Sequence, residues 1–139
     1  MTPHRHAVRI YYEDTDAGGV VYHARYLGFA EQGRTEALRA LGAPHAELAG
    51  HHGLIFMVRR AEMHYLRPAR LDDLLEVSTG PWEVRGASVE VQQGFRVADR
   101  EIARLSVGLA CVRLADGRPA RIPERWRAAL GVKGLGSLL

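Results

Sequence analysis

Carboxylates and glycines near the amino end of the chain form its densest group of residues that can do chemistry. The run from Glu13 to Gly19 reads EDTDAGG and places three carboxylates and two adjacent glycines within seven residues. An apolar segment with helical spacing follows, and the backbone N–H groups at a helix start can hold an anion or a developing oxyanion. A nearby carboxylate can act as a base or as a nucleophile. The run therefore predicts a reactive carboxylate beside an oxyanion-binding site, both built from one loop.

A purely structural role for the same carboxylates is the alternative. Asp14, Thr15 or Asp16 can cap the following helix, because short polar side chains accept hydrogen bonds from its first N–H groups. Three acidic residues and two glycines are more than a single cap requires. From the residues alone, the catalytic and the capping interpretations stand side by side.

A short strand before the loop and a long helix after it must position these residues. Alternation of apolar and polar residues predicts a strand over 6–12. Apolar residues spaced three and four apart predict a helix over 20–41, which Gly42 and Pro44 end. Gly28 and Gly33 each cost this helix about 1 kcal/mol relative to alanine, so they indicate close backbone packing.

The rest of the chain is predicted to be mostly strand, as a meander over 54–65, 73–84, 87–97 and 100–114. A turn of helix is expected over 44–50, a short helix begins at Pro123, and residues 131–139 are expected to form a flexible tail. One long helix followed by consecutive strands predicts a single α+β domain over residues 1–139, with a five-stranded antiparallel sheet. The helix covers only one face of such a sheet, so the remaining apolar surface predicts an oligomer, most simply a symmetric dimer.

Composition and charge exclude several classes of partner and cofactor. The 139 residues carry 19 basic and 16 acidic side chains, and the arginines are spread out instead of forming a basic patch with aromatics, so no nucleic-acid partner is expected. No apolar run reaches the ~18 residues of a membrane span, and the first residues lack a signal-peptide core, so a cytoplasmic location is expected. One cysteine, and histidines without ligand spacing, predict no metal site. The glycines near the carboxyl end follow no strand, so no dinucleotide cofactor is expected.

Two stretches of the chain resemble motifs of a known family. The run YYEDTDAGGVVYHA, from Tyr11 to Ala24, resembles the signature of the 4-hydroxybenzoyl-CoA thioesterase-like branch of hotdog-fold proteins. More narrowly, it is similar to the acyl-CoA thioesterases associated with the Tol-Pal cell-envelope system. Residues 65–75, YLRPARLDDLL, resemble the family's second characteristic stretch, and the resemblance extends over residues 5–130. It implies the hotdog fold, a five-stranded antiparallel sheet wrapped around one long central helix.

The resemblance also implies roles for residues of the first motif. Asp16 is the expected catalytic carboxylate, the backbone N–H at or near His23 is expected to bind the oxyanion, and Gly18 and Gly19 shape the turn between them. The His23 ring is expected to contact substrate or assist proton transfer, with a structural hydrogen bond as the alternative. Tyr22 is expected to orient the loop or line the acyl pocket, with a place in the core as the alternative.

Other carboxylates of the motif and the helix have different expected roles. Glu13 and Asp14 are expected to organise the turn. Glu31 on the helix is the second candidate for the catalytic carboxylate, because some hotdog thioesterases take theirs from the helix. The alternative for Glu31 is an ion pair with Arg34, three residues further along the same helix face.

The activity implied by the resemblance is hydrolysis of an acyl-CoA thioester to a free acid and CoA, without a cofactor. A thioester carbonyl is weakly stabilised and its thiolate leaves readily, so a full Ser-His-Asp triad is not needed, and the chain has no G-x-S-x-G motif. Cys111 lies within a predicted strand, where an inert core thiol is expected. Asp16 can activate water or attack the carbonyl itself, and the sequence leaves both routes open.

Acyl-CoA is the expected partner, with acyl-carrier protein as a further acyl donor. Homodimers that pair into homotetramers, a peripheral position at the inner membrane and a link to Tol-Pal follow from the resemblance alone. Two competing functions are a non-catalytic module that binds acyl-CoA or acyl-carrier protein, and a hotdog dehydratase or hydratase. The presence of Asp16 disfavours the binding module. Dehydratases pair a carboxylate and a catalytic histidine at a different spacing from Asp16 and His23.

Overall fold

The computed structural model describes residues 3–136 and contains five strands and three α-helices in that range. In chain order the elements are β1 (His4–Arg9), α1 (Arg25–Ala40), α2 (His45–His52), β2 (Leu54–Tyr65), β3 (Leu74–Val84), β4 (Ser88–Val97), β5 (Arg100–Arg113) and α3 (Glu124–Gly136). A short 3-10 turn over Tyr12–Asp14 follows β1. This is the predicted α+β class, with one long helix and a five-stranded antiparallel sheet, so the expected hotdog architecture is confirmed.

The order of strands in the sheet differs from the predicted meander. The order is β1-β3-β4-β5-β2, so β3, β4 and β5 are neighbours in sequence and in space, whereas β2 lies at the far edge and pairs with β5. The connection over 66–73 does not turn β2 back onto β3. Its backbone bonds run instead to the start of β5, through Leu66 N–H to Ile102 O at 2.9 Å, and to the loop before α1. The meander prediction was wrong because this connection is a crossover and not a hairpin.

Helix α1 lies against one face of the sheet. Its residues Phe29, Ala30 and Leu38 are buried, and the ring of Tyr26 meets the ring of Phe95 on β4 edge to face at 5.4 Å. A Cβ added at Gly33 would lie 2.7 Å from Cγ1 of Val77, so only glycine lets the helix approach the sheet this closely.

The two glycines of α1 therefore differ in how closely they pack against the rest of the protein. The prediction of close packing holds for Gly33 and is wrong for Gly28. Gly28 is exposed, and a Cβ added there would have nothing within 4 Å.

The helix begins five residues later than predicted. Residues 20–24 were expected to be helical, but Asp16 N–H donates to Val20 O at 2.9 Å and Val21 N–H donates to Ala69 O at 2.8 Å. These bonds hold Val20 and Val21 in extended, bridge-forming backbone. Both residues are β-branched, which favours that conformation over a helix.

The carboxyl-terminal helix completes the core. Trp126 and Leu130 of α3 are fully buried, and the Trp126 ring lies 5.8 Å from the ring of Phe56 on β2. The helix bounds reach Gly136, so residues 131–136 of the tail that was predicted to be flexible are helical, while residues 137–139 lie outside the described residues. No helix within residues 3–136 is long and apolar enough to span a membrane.

Candidate active site

Asp16 lies in a tight hairpin between β1 and α1. Thr15 and Val21 form an antiparallel bridge, and Gly19 N–H donates to Asp16 O at 3.0 Å to close the turn. Gly19 has a φ of +78°, in the left-handed region that this kind of hairpin loop requires and that glycine adopts without strain. The turn therefore presents Asp16 at the point where the chain reverses toward the helix.

The Asp16 carboxylate is exposed and held by one backbone group. Its Oδ1 accepts a hydrogen bond from Gly18 N–H at 2.8 Å, and the structure gives Oδ2 no protein donor within residues 3–136. Asp16 does not cap α1, because the N-cap residue is Ala24, eight residues later, and no side chain caps the helix. The capping interpretation was therefore wrong, and one carboxylate oxygen of Asp16 is free for chemistry.

Asp14 is buried and its hydrogen bonds stabilise the turn, as predicted. Its Oδ2 accepts Tyr11 N–H at 2.8 Å, and its Oδ1 accepts two hydrogen bonds from Arg25, from Nε at 2.9 Å and from Nη2 at 2.6 Å. Its carbonyl oxygen accepts Tyr22 N–H at 2.9 Å. With both oxygens occupied, the Asp14 side chain is a structural group and not a second base.

The start of α1 offers backbone donors that have no partner. Arg25 N–H is satisfied by Tyr22 O at 2.9 Å, but the N–H groups of His23 and Ala24 donate to no acceptor in the part of the chain that the structure describes. Unpaired N–H groups at a helix start carry the positive end of the helix dipole. Groups of this kind can bind an anion or an oxyanion, and here they lie next to the hairpin that carries Asp16.

The second motif, over 65–75, forms hydrogen bonds that hold this loop in place. Val21 N–H donates to Ala69 O, Ala69 N–H donates to the Tyr26 hydroxyl at 3.3 Å, and Val20 and Arg70 form a further bridge. Burial raises the pKa of Tyr26, which keeps its hydroxyl protonated.

Tyr65 is the residue of this motif that sequence reasoning missed. Its hydroxyl donates to His23 O at 2.9 Å. The resemblance included Tyr65 without giving it a role. The only sign in the sequence was an aromatic residue with a polar tip at the end of a predicted strand.

His23 and Tyr22 lie together at the surface of the site. Both are exposed, Tyr22 to 46%, and their ring centroids are 4.6 Å apart. The alternative that placed Tyr22 in the core was therefore wrong. The two rings stand beside the free N–H groups, where they can contact a bound molecule.

Glu31 and Arg34 do not form the ion pair that their spacing allows. The Glu31 carboxylate accepts a hydrogen bond from the Thr35 hydroxyl at 2.6 Å, whereas Arg34 is buried and donates to Gln93 Oε1 on β4 at 3.0 Å. Burial lowers the pKa of Arg34. The ion-pair interpretation was wrong because Arg34 turns toward the sheet while Glu31 stays exposed. Glu31 lies roughly 9 Å along the helix from Arg25, given the rise of an α-helix.

Metal-ligating side chains and the cysteine thiol are the other groups that could do chemistry. No group of three or more His, Cys, Asp or Glu side chains that could hold a metal ion occurs within residues 3–136. Cys111 is fully buried on β5, and burial raises the pKa of its thiol, so the reactive thiolate is disfavoured. The exposed Asp16 carboxylate and the unpaired backbone donors, by contrast, are accessible groups of the first motif.

Several known proteins are similar to this chain in sequence and in fold. A family model described as the thioesterase-like superfamily matches residues 10–130. Acyl-CoA thioesterase YbgC of Haemophilus influenzae is 44% identical over 122 residues, covering 88% of this chain and 90% of the relative. Acyl-CoA thioester hydrolase YbgC of Escherichia coli O157:H7 is 42% identical over 123 residues, covering 86% and 90%. The crystal structure of a probable thioesterase from Bartonella henselae is 37% identical with a TM-score of 0.81, covering 87% of this chain and 99% of that one.

Proposed function

The chain belongs to the thioesterase-like superfamily and is an acyl-CoA thioesterase, and from this premise we propose that Asp16 and the free N–H groups at the start of α1 carry out the hydrolysis. The observation that supports this assignment is the pairing of an exposed carboxylate with unpaired backbone donors on one short segment. The hairpin returns the chain beside Asp16, because Val21 bridges Thr15 and Tyr22 N–H bonds to Asp14 O. A thioester carbon seated between the two would face the carboxylate on one side and the helix start on the other.

The chemistry then needs few groups. In one route Asp16 takes a proton from water, the water oxygen attacks the thioester carbon, and the carbonyl oxygen becomes an oxyanion. The N–H groups of His23 and Ala24 stabilise that oxyanion, and its collapse breaks the C–S bond and expels the CoA thiolate. In the other route the Asp16 oxygen attacks directly to form a mixed anhydride, which water then hydrolyses. Both routes use the free Oδ2 and the same helix start.

The decisive experiment compares Asp16→Asn with Glu31→Gln. Free thiol release is followed for acyl-CoA esters of graded chain length, aryl esters included. Asp16→Asn should lower kcat/KM about 10²–10⁴-fold, the range for loss of a positioned acid or base. Glu31→Gln is the matched control on the helix and should keep full activity. Full activity in Asp16→Asn would show that another group carries out the reaction. If Glu31→Gln lost activity while Asp16→Asn kept it, the helix carboxylate would be favoured.

The same assay separates hydrolysis from the competing binding function. A module that only binds acyl-CoA or acyl-carrier protein would retain the ester without releasing thiol, and its affinity would be unaffected by Asp16→Asn. Offering the acyl group on acyl-carrier protein in place of CoA tests the further acyl donor. Release from CoA esters alone would exclude the carrier protein as substrate.

A second copy of the chain is the proposed partner at the edge of the sheet. Residues opposite one another on antiparallel strands point to the same face. Val58 and Ala61 on β2 are opposite Leu109 and Val107, which are buried on the face that α1 covers. Val58 is nevertheless 52% exposed and Ala61 is exposed, so this face is uncovered at the β2 edge.

We propose that a homodimer covers this apolar edge and that dimers pair into homotetramers. Light scattering on the full chain gives the mass in solution. Val58→Glu should shift the mass toward the monomer because it places a charge in the contact. Leu114→Glu adds the same charge at a residue of similar exposure outside the strands, and should leave the mass unchanged. A monomeric mass for the unchanged chain would rule out the dimer.

A peripheral position at the inner membrane and an association with Tol-Pal are further proposals, supported by the likeness of the first motif. Fractionation of cells that express the full chain tests the first, and copurification with Tol-Pal components tests the second. Recovery in the soluble fraction alone, with no such component retained, would argue against both.

A further inference from the structure

Tyr65, the last residue of β2, holds one end of a peptide group at the start of α1. Its hydroxyl donates to His23 O at 2.9 Å. That carbonyl belongs to the same planar peptide group as the Ala24 N–H, and in a trans peptide the two point in opposite directions. Ala24 is the N-cap residue of α1, and its N–H has no acceptor among residues 3–136. The Tyr65 hydroxyl therefore binds the carbonyl oxygen of a peptide group whose N–H, on the opposite side, is a free donor.

We infer that Tyr65 is a positioning residue for thioester hydrolysis, which orients and polarises the peptide between His23 and Ala24 so that the Ala24 N–H binds the oxyanion. This inference rests on the proposed function of the helix start. A hydrogen bond to a carbonyl oxygen draws electron density from the amide nitrogen and strengthens the N–H as a donor, as in any chain of hydrogen bonds. A fixed peptide also needs no reorientation when charge develops on the substrate.

Tyr65 is itself held in place. Its backbone pairs with Ala103 on β5, and the next N–H groups, of Leu66 and Arg67, both donate to Ile102 O. Its ring meets the Tyr26 ring edge to face at 5.6 Å. The residue that holds this peptide thus lies at a strand end that is bonded to the sheet.

The protonation state of Tyr65 suits this role. Desolvation raises the pKa of its hydroxyl above the ordinary value, so the group stays protonated and remains a donor at neutral pH. The side chain is 49% exposed, so its ring contributes little to the core. Loss of the hydroxyl should consequently affect catalysis more than folding.

Tyr65→Phe tests the inference, because it removes the hydroxyl and keeps the ring. Removal of a whole oxyanion-hole donor costs about 10²–10³-fold in kcat. Loss of the group that fixes one of two donors should cost less, about 10-fold in kcat. KM should change by less than about twofold, since the interaction is realised in the transition state. Tyr12→Phe removes a hydroxyl from a side chain that is 81% exposed and should match the unchanged chain.

The outcomes are distinguishable from those of the proposed function. A wild-type kcat in Tyr65→Phe, or a rise in KM with kcat unchanged, would overturn the inference while the loss in Asp16→Asn still stood. A kcat loss accompanied by an equal loss of folded protein at the assay temperature, seen in thermal unfolding, would make Tyr65 merely structural and would also overturn it. Full activity in Asp16→Asn would instead remove the premise itself. A kcat loss with unchanged KM and unchanged Tm supports the assignment.

Discussion

The guanidinium of Arg25 holds the buried carboxylate of Asp14, with Nε and Nη2 lying 2.9 and 2.6 Å from Oδ1. Arg25 is the first residue of α1, and its guanidinium also stands over the ring of Phe29 at 5.2 Å. Asp14 ends the 3-10 turn that leads into the hairpin. The pair thus ties the beginning of the helix to the beginning of the loop, and between the two lie Asp16 and the unpaired N–H groups.

Removal of the Arg25 charge should therefore destabilise the protein and disorganise the site. Arg25→Met keeps the aliphatic stem but leaves the Asp14 carboxylate buried without its cation. The expected loss is about 3 kcal/mol of unfolding free energy, at the low end for a broken buried pair because Arg25 is partly exposed. Urea unfolding measures it, and kcat should fall in the same variant.

The double variant Asp14→Asn/Arg25→Met separates the pair from its surroundings. Because the two side chains interact directly, its cost should be smaller than the sum of the two single costs. Strictly additive costs would contradict a direct contribution from the pair.

Two glycines of α1 should respond oppositely to the same substitution. Gly28→Ala gains helix propensity of about 1 kcal/mol and meets nothing within 4 Å, so it should stabilise. Gly33→Ala gains the same propensity, but its Cβ would lie 2.7 Å from Val77 Cγ1 and 3.1 Å from Thr79 Oγ1. Overpacking should outweigh the gain and leave a net loss of about 1–2 kcal/mol. Thermal and urea unfolding of both variants measure the contrast, and equal effects would refute the close contact at Gly33.

His45 should make the protein less stable in mild acid. Burial lowers the pKa of this half-buried residue below its ordinary value of 6.5; Glu31 opposes the shift, and Arg34 and Arg39 add to it. As the pH falls through 6.5, His45 takes up a proton in the unfolded chain before it does so in the folded one. The free energy of unfolding therefore decreases as the pH falls.

His45→Gln removes that dependence and provides the measurement. The free energy of unfolding is followed for both proteins between about pH 8 and pH 5, the range in which histidine titrates. The unchanged chain should lose more stability than the variant on going to acid. Parallel curves would mean that His45 titrates alike in the folded and unfolded states.

The strands were largely predictable because their patterns are local. Leu54–Tyr65 has the predicted bounds, and the three strands that follow it each differ from theirs by one residue at one end. The position of β2 was not predictable in the same way. The strand β2 pairs with β5, which is distant in sequence. The connection after β2 bonds to Ile102, and no pattern in the neighbouring residues indicates that contact.

Part of the local geometry of the first motif was predictable, whereas the residues that hold it in place were not. The glycine turn and the free helix start could be anticipated from the motif, yet the helix begins late because Val20 and Val21 bond to distant backbone. Spacing along α1 suggested that Arg34 pairs with Glu31, but the buried amide of Gln93 is the partner that tertiary packing supplies. Such partners depend on the finished fold, which a single sequence does not display.

The residues that hold the hairpin and the start of α1 in place lie far from them in the sequence. Tyr65 reaches His23 across 42 residues, and Ala69 reaches Tyr26 across 43. Closing so large a loop costs entropy before any contact repays it, whereas the turns of α1 form from near neighbours. During folding, the helix can consequently exist before its first peptide is oriented. We therefore expect thioesterase activity to appear only after this connection has docked, so that turnover would report a late step in the formation of native structure.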